Sequence, residues 1–315
     1  MSNTCYLCGK PDLEVIRTKL RYGIRRKVLR CEECGLVFLE KKERNLREYY
    51  EEDYRKLYTP VIGKEVSPSE RFDIYLPFQK SRIEDIKPYL NPDMKALDIG
   101  CSSGYFLYAL KDLVQECVGI EFNKSDIEFA RKKCGVKIYD HPLEETDIPL
   151  EYFDIVFMLD VLEHIEDPIQ FLGTVRRYIK PGGYIYIEVD NINDSLLSIY
   201  GIEEYADFYY REPHLFYFSP KTLKNVAEKG GFPGETKTMQ QYNFINQINW
   251  ILTGKPQSSA SQGMSAPVLV KAIQVPDEMS ITFNEWIKRV DSEYKELLNR
   301  YNIGDVIVFR GRRTD

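Results

Sequence analysis

Long apolar runs are missing from this chain of 315 residues. No segment approaches the roughly 20 consecutive apolar residues that a membrane span needs. A leader of the basic-then-apolar kind is missing too, since residues 1–10 are polar and hold two cysteines; the expectation is a cytoplasmic protein. Positive charge is not in surplus: 43 Lys and Arg against 49 Asp and Glu leave −6. As a whole the chain is therefore not built to hold nucleic acid by electrostatics. Histidine is scarce, with only His141, His164 and His214, which leaves few groups that titrate near neutrality. What remains is an ordinary globular composition, 43% apolar and 29% charged, long enough for one large or two modest domains.

Cysteine is also sparse, at seven, and unevenly spread. Four fall in two knuckles, Cys5 and Cys8 followed by Gly9, and Cys31 and Cys34 followed by Gly35. Two thiolates two residues apart can share one metal, and the glycine lets the backbone turn its N–H groups toward sulfur. Two knuckles supply the four thiolates of a closed structural zinc site, with no open position for chemistry. A pair of disulfides is the alternative, which a reducing compartment disfavours. Strands are expected at 14–20 and 27–31 around a turn at 21–26, making residues 1–45 a zinc ribbon. Lys10, Arg17, Lys19, Arg21, Arg25, Arg26, Lys27 and Arg30 make it locally basic. That is either a solvated hairpin or a grip on a phosphate-bearing substrate or RNA. Cys101, Cys117 and Cys134 read as small apolar core residues.

The chain is organised around residues 96–122, ALDIGCSSGYFLYALKDLVQECVGIEF. A short apolar strand leads into a small-residue turn, then a stretch with apolar residues at helical spacing, then a second strand ending in Glu121. This is half of a mononucleotide-binding βαβ unit, and an acid about 20 residues after the first glycine suits the two hydroxyls of a ribose. A dinucleotide would ask for G-x-G-x-x-G. Here Asp98 opens the turn, Gly100 and Gly104 flank it, and Ser102 stands where a third glycine would sit. An acid inside the turn suits a cation better than a pyrophosphate. S-adenosylmethionine, with an ammonium and a sulfonium, answers that description.

Strands and helices alternate onward, which predicts a doubly wound, mostly parallel sheet. Helical stretches are expected at 43–58 and, broken near Pro77 and Pro88, at 69–90, with 46–92 as a linker or lid. A helix is expected at 125–133 with Asn123 or Ser125 as cap, and strands at 136–139, 153–159 and 184–189. Asp167 and Pro168 open the helix before the last of these. Residues 190–210 read as irregular and aromatic, 235–243 as a strand, 253–267 as a mobile low-complexity loop, 281–300 as an amphipathic helix and 305–309 as a final strand.

The phrases LDIGCSSG, FDIVFMLDVLEHIEDP, YIKPGGYIYIEV and HLFYFSPKTLKNVAEKGGF, in this order, resemble class I S-adenosylmethionine-dependent methyltransferases. The four-Cys ribbon, QQYNFINQINWILTGKP and the terminal GDVIVF resemble a narrower group, the zinc-ribbon methyltransferases of surface-polysaccharide and nucleotide-sugar pathways. The resemblance implies an α/β, Rossmann-like, seven-stranded sheet formed by 93–239 and 301–312, its last strand antiparallel beside the fifth, with 240–300 as a cap. It implies that Asp98, Gly100 and Ser102 meet the methionine moiety and that Gly104 lets the helix approach. Glu121 and Phe122 would hold the ribose, Leu143 the adenine, and Asp160 either the methionine end or the following turn. His214 ranks first as general base, with His164, Tyr210, Glu212 and Tyr217 around it; His164 has packing or capping as its other role. The nearest match to the Tyr-x-Glu-His group of sugar C-methyltransferases, Tyr210 to His214, carries one extra residue, and their further C-terminal domain is absent. O-methylation of a sugar is therefore at least as well supported as C-methylation. An RNA methyltransferase and a non-catalytic protein of the same fold are the alternatives, and the ribbon could instead dock a protein partner. Oligomeric state is not legible.

Overall fold

The continuous apolar runs in the middle of the sequence become the centre of a parallel sheet, as the burial of both strand faces requires. This computed structural model describes residues 4–41, 61, 64–270 and 276–315. The helical stretch expected at 43–58 lies outside them. The strands are β1 Leu13–Lys19, β2 Arg25–Cys31, β3 Val37–Leu39, β4 Lys95–Ile99, β5 Glu116–Ile120, β6 Lys137–Tyr139, β7 Phe153–Leu159, β8 Ile179–Asp190, β9 Phe216–Tyr217, β10 Gly234–Met239 and β11 Val306–Arg312. The helices are α1 Pro68–Tyr75, α2 Gln79–Ile86, α3 Tyr105–Leu110, α4 Lys124–Cys134, α5 Pro168–Tyr178, α6 Ser195–Ser198, α7 Glu203–Tyr209, α8 Pro220–Lys229, α9 Phe244–Thr253, α10 Ala260–Met264 and α11 Asp277–Arg300.

Seven strands form the main sheet in the order β10-β11-β8-β7-β4-β5-β6. The five from β8 to β6 run parallel. β11 is antiparallel to both β8 and β10, so the final strand lies beside the fifth parallel one. Alternate residues of each strand face opposite layers. Leu97, Val118 and Val156 pack with Leu172 and Val175 of α5 and Leu223 and Val226 of α8. Ala96, Ile155 and Phe157 pack with Phe106, Leu107 and Leu110 of α3 and Ile127 and Ala130 of α4.

Local sequence sets the element ends. Ser67 accepts from the Glu70 amide while Glu70 reaches back to the Ser67 amide, a capping box at the start of α1. Asn123 caps α4 and Asp167 caps α5, each accepting from an amide in the first turn. Two stretches differ from expectation. Residues 190–210 are not irregular but hold α6 and α7. Asp194 caps α6, and Tyr205 and Phe208 of α7 pack edge-on against Trp250 of α9, a contact made across the fold. The stretch expected as a loop at 253–267 carries α10, tied to Asn243, whose amide donates to the carbonyls of Gln262 and Ser265 at 2.9 and 2.8 Å.

The cysteine hairpin is not a separate appendage. β1, β2, β3 and β9 form one four-stranded sheet, and β9 comes from the segment just after His214. Arg21 donates its amide to the Tyr210 carbonyl at 2.6 Å, and Leu39 its amide to Leu215 at 2.9 Å. Lys229 at the end of α8 donates to the Leu7 carbonyl at 2.6 Å, and Tyr6 donates to Asp167.

Candidate active site

A cavity of about 1280 Å3 opens at the carboxyl edge of the parallel strands, where open α/β sheets bind ligands. Its floor follows the strand order. Leu143 follows β6, Glu121 and Phe122 follow β5, Gly100 and Ser102 follow β4, and Asp160 follows β7. These four stations span three strand spacings, roughly 14 Å. That is the length of an extended nucleoside bearing an amino-acid tail. The chemistry changes along the way from apolar, through an acid at ribose position, to small-residue backbone and a second acid. Those residues fit S-adenosylmethionine.

The turn itself is held by Glu121. Its carboxylate accepts from the amides of Ser102, Phe122 and Asn123 at 2.9, 2.7 and 2.9 Å. Gly100, Ser102 and Gly104 all have positive φ, at 78°, 49° and 81°. A Cβ on Gly104 would come within 2.8 Å of the Cys134 sulfur and 2.9 Å of the Ala130 Cβ, so this glycine lets α4 close on the turn and does not line the cavity. Asp98 is also placed away from the expected contact. It is buried behind the turn, outside the cavity lining, and burial pushes its carboxyl well above the usual range. Asp160 opens onto the cavity, yet the protein around it and the nearby Glu188 and Asp190 push its carboxyl up to about 7.

The far end of the cavity is polar. His164 ends a short 3-10 turn, Leu162–His164, and its Nδ1 lies 2.9 Å from the Pro213 carbonyl. A carbonyl only accepts, so Nδ1 carries the proton and Nε2 the lone pair. His214 stands edge-on to it, ring centroids 4.7 Å apart at 89°. His214 is 2% exposed, and burial, then Arg211 and His164, hold it well below its ordinary pKa, hence neutral. Behind the two rings sits Glu163, also 2% exposed. Asp190 lies beside His214, its Oδ2 3.6 Å from Nδ1, and accepts from Arg211 at 2.6 Å.

His164 and His214 are thus brought together, and the Tyr217 ring lies beside His214, its centroid 6.0 Å away. Tyr210, Glu212 and Tyr217 lie outside the cavity lining. Tyr210 is packed into the hairpin interface beneath Arg17, whose guanidinium carbon is 5.6 Å from its ring. The Tyr217 hydroxyl is occupied by Arg211, accepting from its amide and donating to its carbonyl, both at 2.9 Å. Sequence reasoning missed Glu163 although it adjoins His164. It also missed Arg82, whose guanidinium on α2 clamps Glu188 of β8 with two of its three nitrogens, Nε at 2.9 Å and Nη2. The signal was an acid inside an otherwise apolar strand, YIYIEVD. His141 lies outside the main cavity and bonds Asp140 at 2.9 Å.

The hairpin's basic face is largely spoken for. Arg17 pairs with Glu203 and Asp207 of α7 at 2.7 and 2.5 Å, Lys27 with Glu40 at 3.1 Å, and Arg30 with Glu14 at 3.6 Å. Arg21 reaches the cavity rim, its guanidinium carbon 3.8 Å from the centroid of Phe208. The four cysteines converge without disulfides. Cys5 faces Cys34 and Cys8 faces Cys31, each pair 3.5 Å apart, and all four sulfurs lie within 4.8 Å of one another. Four thiolates around one zinc at about 2.3 Å stand roughly 3.8 Å apart, so the set fits a tetrahedral ion.

Comparison with known proteins shows the family. A family described as a methyltransferase domain matches residues 72–236. Curated relatives include the ubiquinone biosynthesis O-methyltransferase of Thiobacillus denitrificans, 26% identical over 164 residues, covering 49% of this chain and 71% of that protein. The ubiquinone biosynthesis O-methyltransferase of Bordetella bronchiseptica is 28% identical over 166 residues, covering 49% and 68%. Among solved structures, a SAM dependent methyltransferase from Archaeoglobus fulgidus superposes with a TM-score of 0.50 at 22% identity, over 78% of this chain and 97% of that one, a likeness of fold. With the family match spanning both the nucleotide-binding turn and the His164 segment, the chain belongs to the methyltransferase domain family and is an S-adenosylmethionine-dependent methyltransferase.

Proposed function

We propose that the chain methylates an oxygen of a small acceptor, a hydroxyl of a nucleotide-linked sugar or surface glycan, and that the acceptor lies between the cofactor edge and the polar end formed by His164, His214 and Asp190. The observation that carries this is the facing of those two ends across one cavity. Methyl transfer from a sulfonium is an in-line displacement whose leaving group needs no acid. The protein's tasks are to hold the acceptor oxygen about 3 Å from the methyl carbon, exclude water and take up one proton. In this reading Glu121 holds the ribose, Leu143 the adenine, Gly100 and Ser102 the methionine backbone, and Asp160 the ammonium. Aromatic walls from Tyr205, Phe208, Tyr209, Tyr242 and Trp250 suit the faces of a ring. Arg21 at the rim suits a phosphate. The names of the relatives support oxygen as the acceptor atom and favour a second reading, an acceptor of the ubiquinone-biosynthesis type.

Zinc in the four-Cys site is part of the same proposal. It would be held by Cys5, Cys8, Cys31 and Cys34 and would fix the hairpin. The site is closed, so the ion stays outside the chemistry.

Transfer of labelled methyl from S-adenosylmethionine to a panel of sugar nucleotides, ubiquinone-pathway precursors and bulk RNA tests the acceptor. Label is expected on a sugar nucleotide, at oxygen. Label on the ubiquinone-pathway compounds alone would replace the sugar by the second reading, and label on RNA alone would overturn both.

A further inference from the structure

Next to the polar end of the cavity, outside its lining, lies a carboxylate that the hydrogen-bonding pattern leaves unexplained. Both Glu163 oxygens are fully buried and neither has a hydrogen-bond partner among the described residues. The buried Nδ1 of His214 also makes no hydrogen bond, the Asp190 carboxylate standing 3.6 Å away. A buried carboxyl without partners is costly, and here the groups come from two different segments. One donor atom from each of Glu163, His164 and His214 lies within 4.8 Å of the others. Donors bound to one ion at about 2.1 Å stand roughly 3 to 4 Å apart, a distance that small side-chain rotations reach.

The surroundings have the features of a built site. His164 gives its Nδ1 proton to the Pro213 carbonyl at 2.9 Å, which directs its lone pair to Nε2. Metal-binding histidines are oriented in this way. The two segments are also locked together through the backbone, Leu215 donating its amide to the Glu163 carbonyl at 2.8 Å. The donor separation is therefore set by the fold and not by chance placement of long side chains.

We infer that Glu163, His164 and His214 bind a first-row divalent cation at the acceptor end of the cavity. Two imidazoles and one carboxylate suit zinc, manganese, iron or cobalt better than calcium, which takes oxygen donors. Of the three ligands His164 and His214 line the cavity and Glu163 does not, so the positions left open on the ion would be on the cavity side. This inference rests on the proposed placement of the acceptor and supplies its activation. The acceptor hydroxyl binds an open position, and the cation lowers its pKa. The O–H bond breaks, with the proton passing to the Asp190 carboxylate. The oxygen pair then forms the new C–O bond while the S–CH3 bond breaks and its pair returns to sulfur. This ion is distinct from the one assigned to the four cysteines, whose donor set is all thiolate.

Manganese(II) is the probe that separates the two, because it favours nitrogen and oxygen donors and leaves a thiolate-held zinc in place. The full chain, stripped with a chelator mild enough to keep one zinc per chain, is titrated with manganese(II) and free ion is read by electron paramagnetic resonance. The expected result is one bound manganese per chain, with affinity at least about tenfold weaker in Glu163→Gln and in His214→Ala while both variants still bind S-adenosylmethionine. No binding by the wild type, or wild-type binding by cofactor-competent variants, overturns the cation site. Full-rate methyl transfer by chain whose second site is measured empty also overturns it, and leaves the methyl-transfer reading standing. Bound manganese without methylation of any acceptor on the panel leaves the cation site standing and overturns the acceptor reading instead.

Discussion

Gly104 shows at one residue how backbone and packing constrain the turn together. Its φ of 81° disfavours any L side chain, and a Cβ there would press on Ala130 and Cys134 of α4 at under 3.0 Å. Gly104→Ala should therefore destabilise the fold by roughly 1–3 kcal/mol, from strain and overpacking together. A thermal melt checks it: an unchanged midpoint would mean that α4 and the turn are not closely packed. The acids at this scale were legible as residues but not as environments. Asp98 stands where an acid was expected, but its burial behind the turn follows from packing that no local pattern reveals. Glu163 was visible beside His164, and what marks it out is that tertiary contacts leave its oxygens unpartnered.

Among the elements, the hairpin and the cavity roof form one unit. β3 pairs with β9, and β9 begins two residues after His214. Fixing the cysteines thus fixes the roof. Cys31→Ser, or removal of the zinc assigned to the four thiolates, should raise the acceptor KM at least about fivefold while S-adenosylmethionine affinity changes less than about twofold. The reason is that the cofactor edge is built from β4 to β7 and shares no strand with the hairpin. Equal loss of both, measured by steady-state kinetics and calorimetry, would show that the hairpin supports the whole fold. Strands and caps were readable because their signals are local: continuous apolar runs for β4 and β7, Asn123 and Asp167 as caps, Pro168 in a first turn. β9 was not readable, since it is two residues long and its partner is distant in the chain. α7 was missed for a related reason, part of its packing being supplied by Trp250 on α9.

At the scale of the whole molecule, the proposed reading separates cofactor from acceptor along one sheet edge. Among the described residues no helix is long and apolar enough to cross a membrane. The sheet order, with an antiparallel β11 between β8 and β10, follows the expectation from the methyltransferase-like phrases, and it brings the ends of β4, β5 and β7 to one cavity. The local excess of basic residues at the hairpin left a solvated hairpin and a binding grip both open, and α7 supplies Glu203 and Asp207 to neutralise part of it. That pairing joins two distant segments, so charge counting along the sequence could not detect it. Arg82 and Glu188 tie α2 to the sheet in the same long-range way.

The division of the edge is the central claim, and one paired measurement tests it: S-adenosylmethionine affinity and turnover for Glu121→Gln and His214→Ala beside the wild type. Glu121→Gln should weaken cofactor binding by about tenfold or more, about 1.4 kcal/mol. His214→Ala should leave that affinity within about threefold and lower turnover by about 100-fold or more. Loss of cofactor affinity and turnover in equal measure by His214→Ala, or unchanged cofactor binding in Glu121→Gln, would contradict the account.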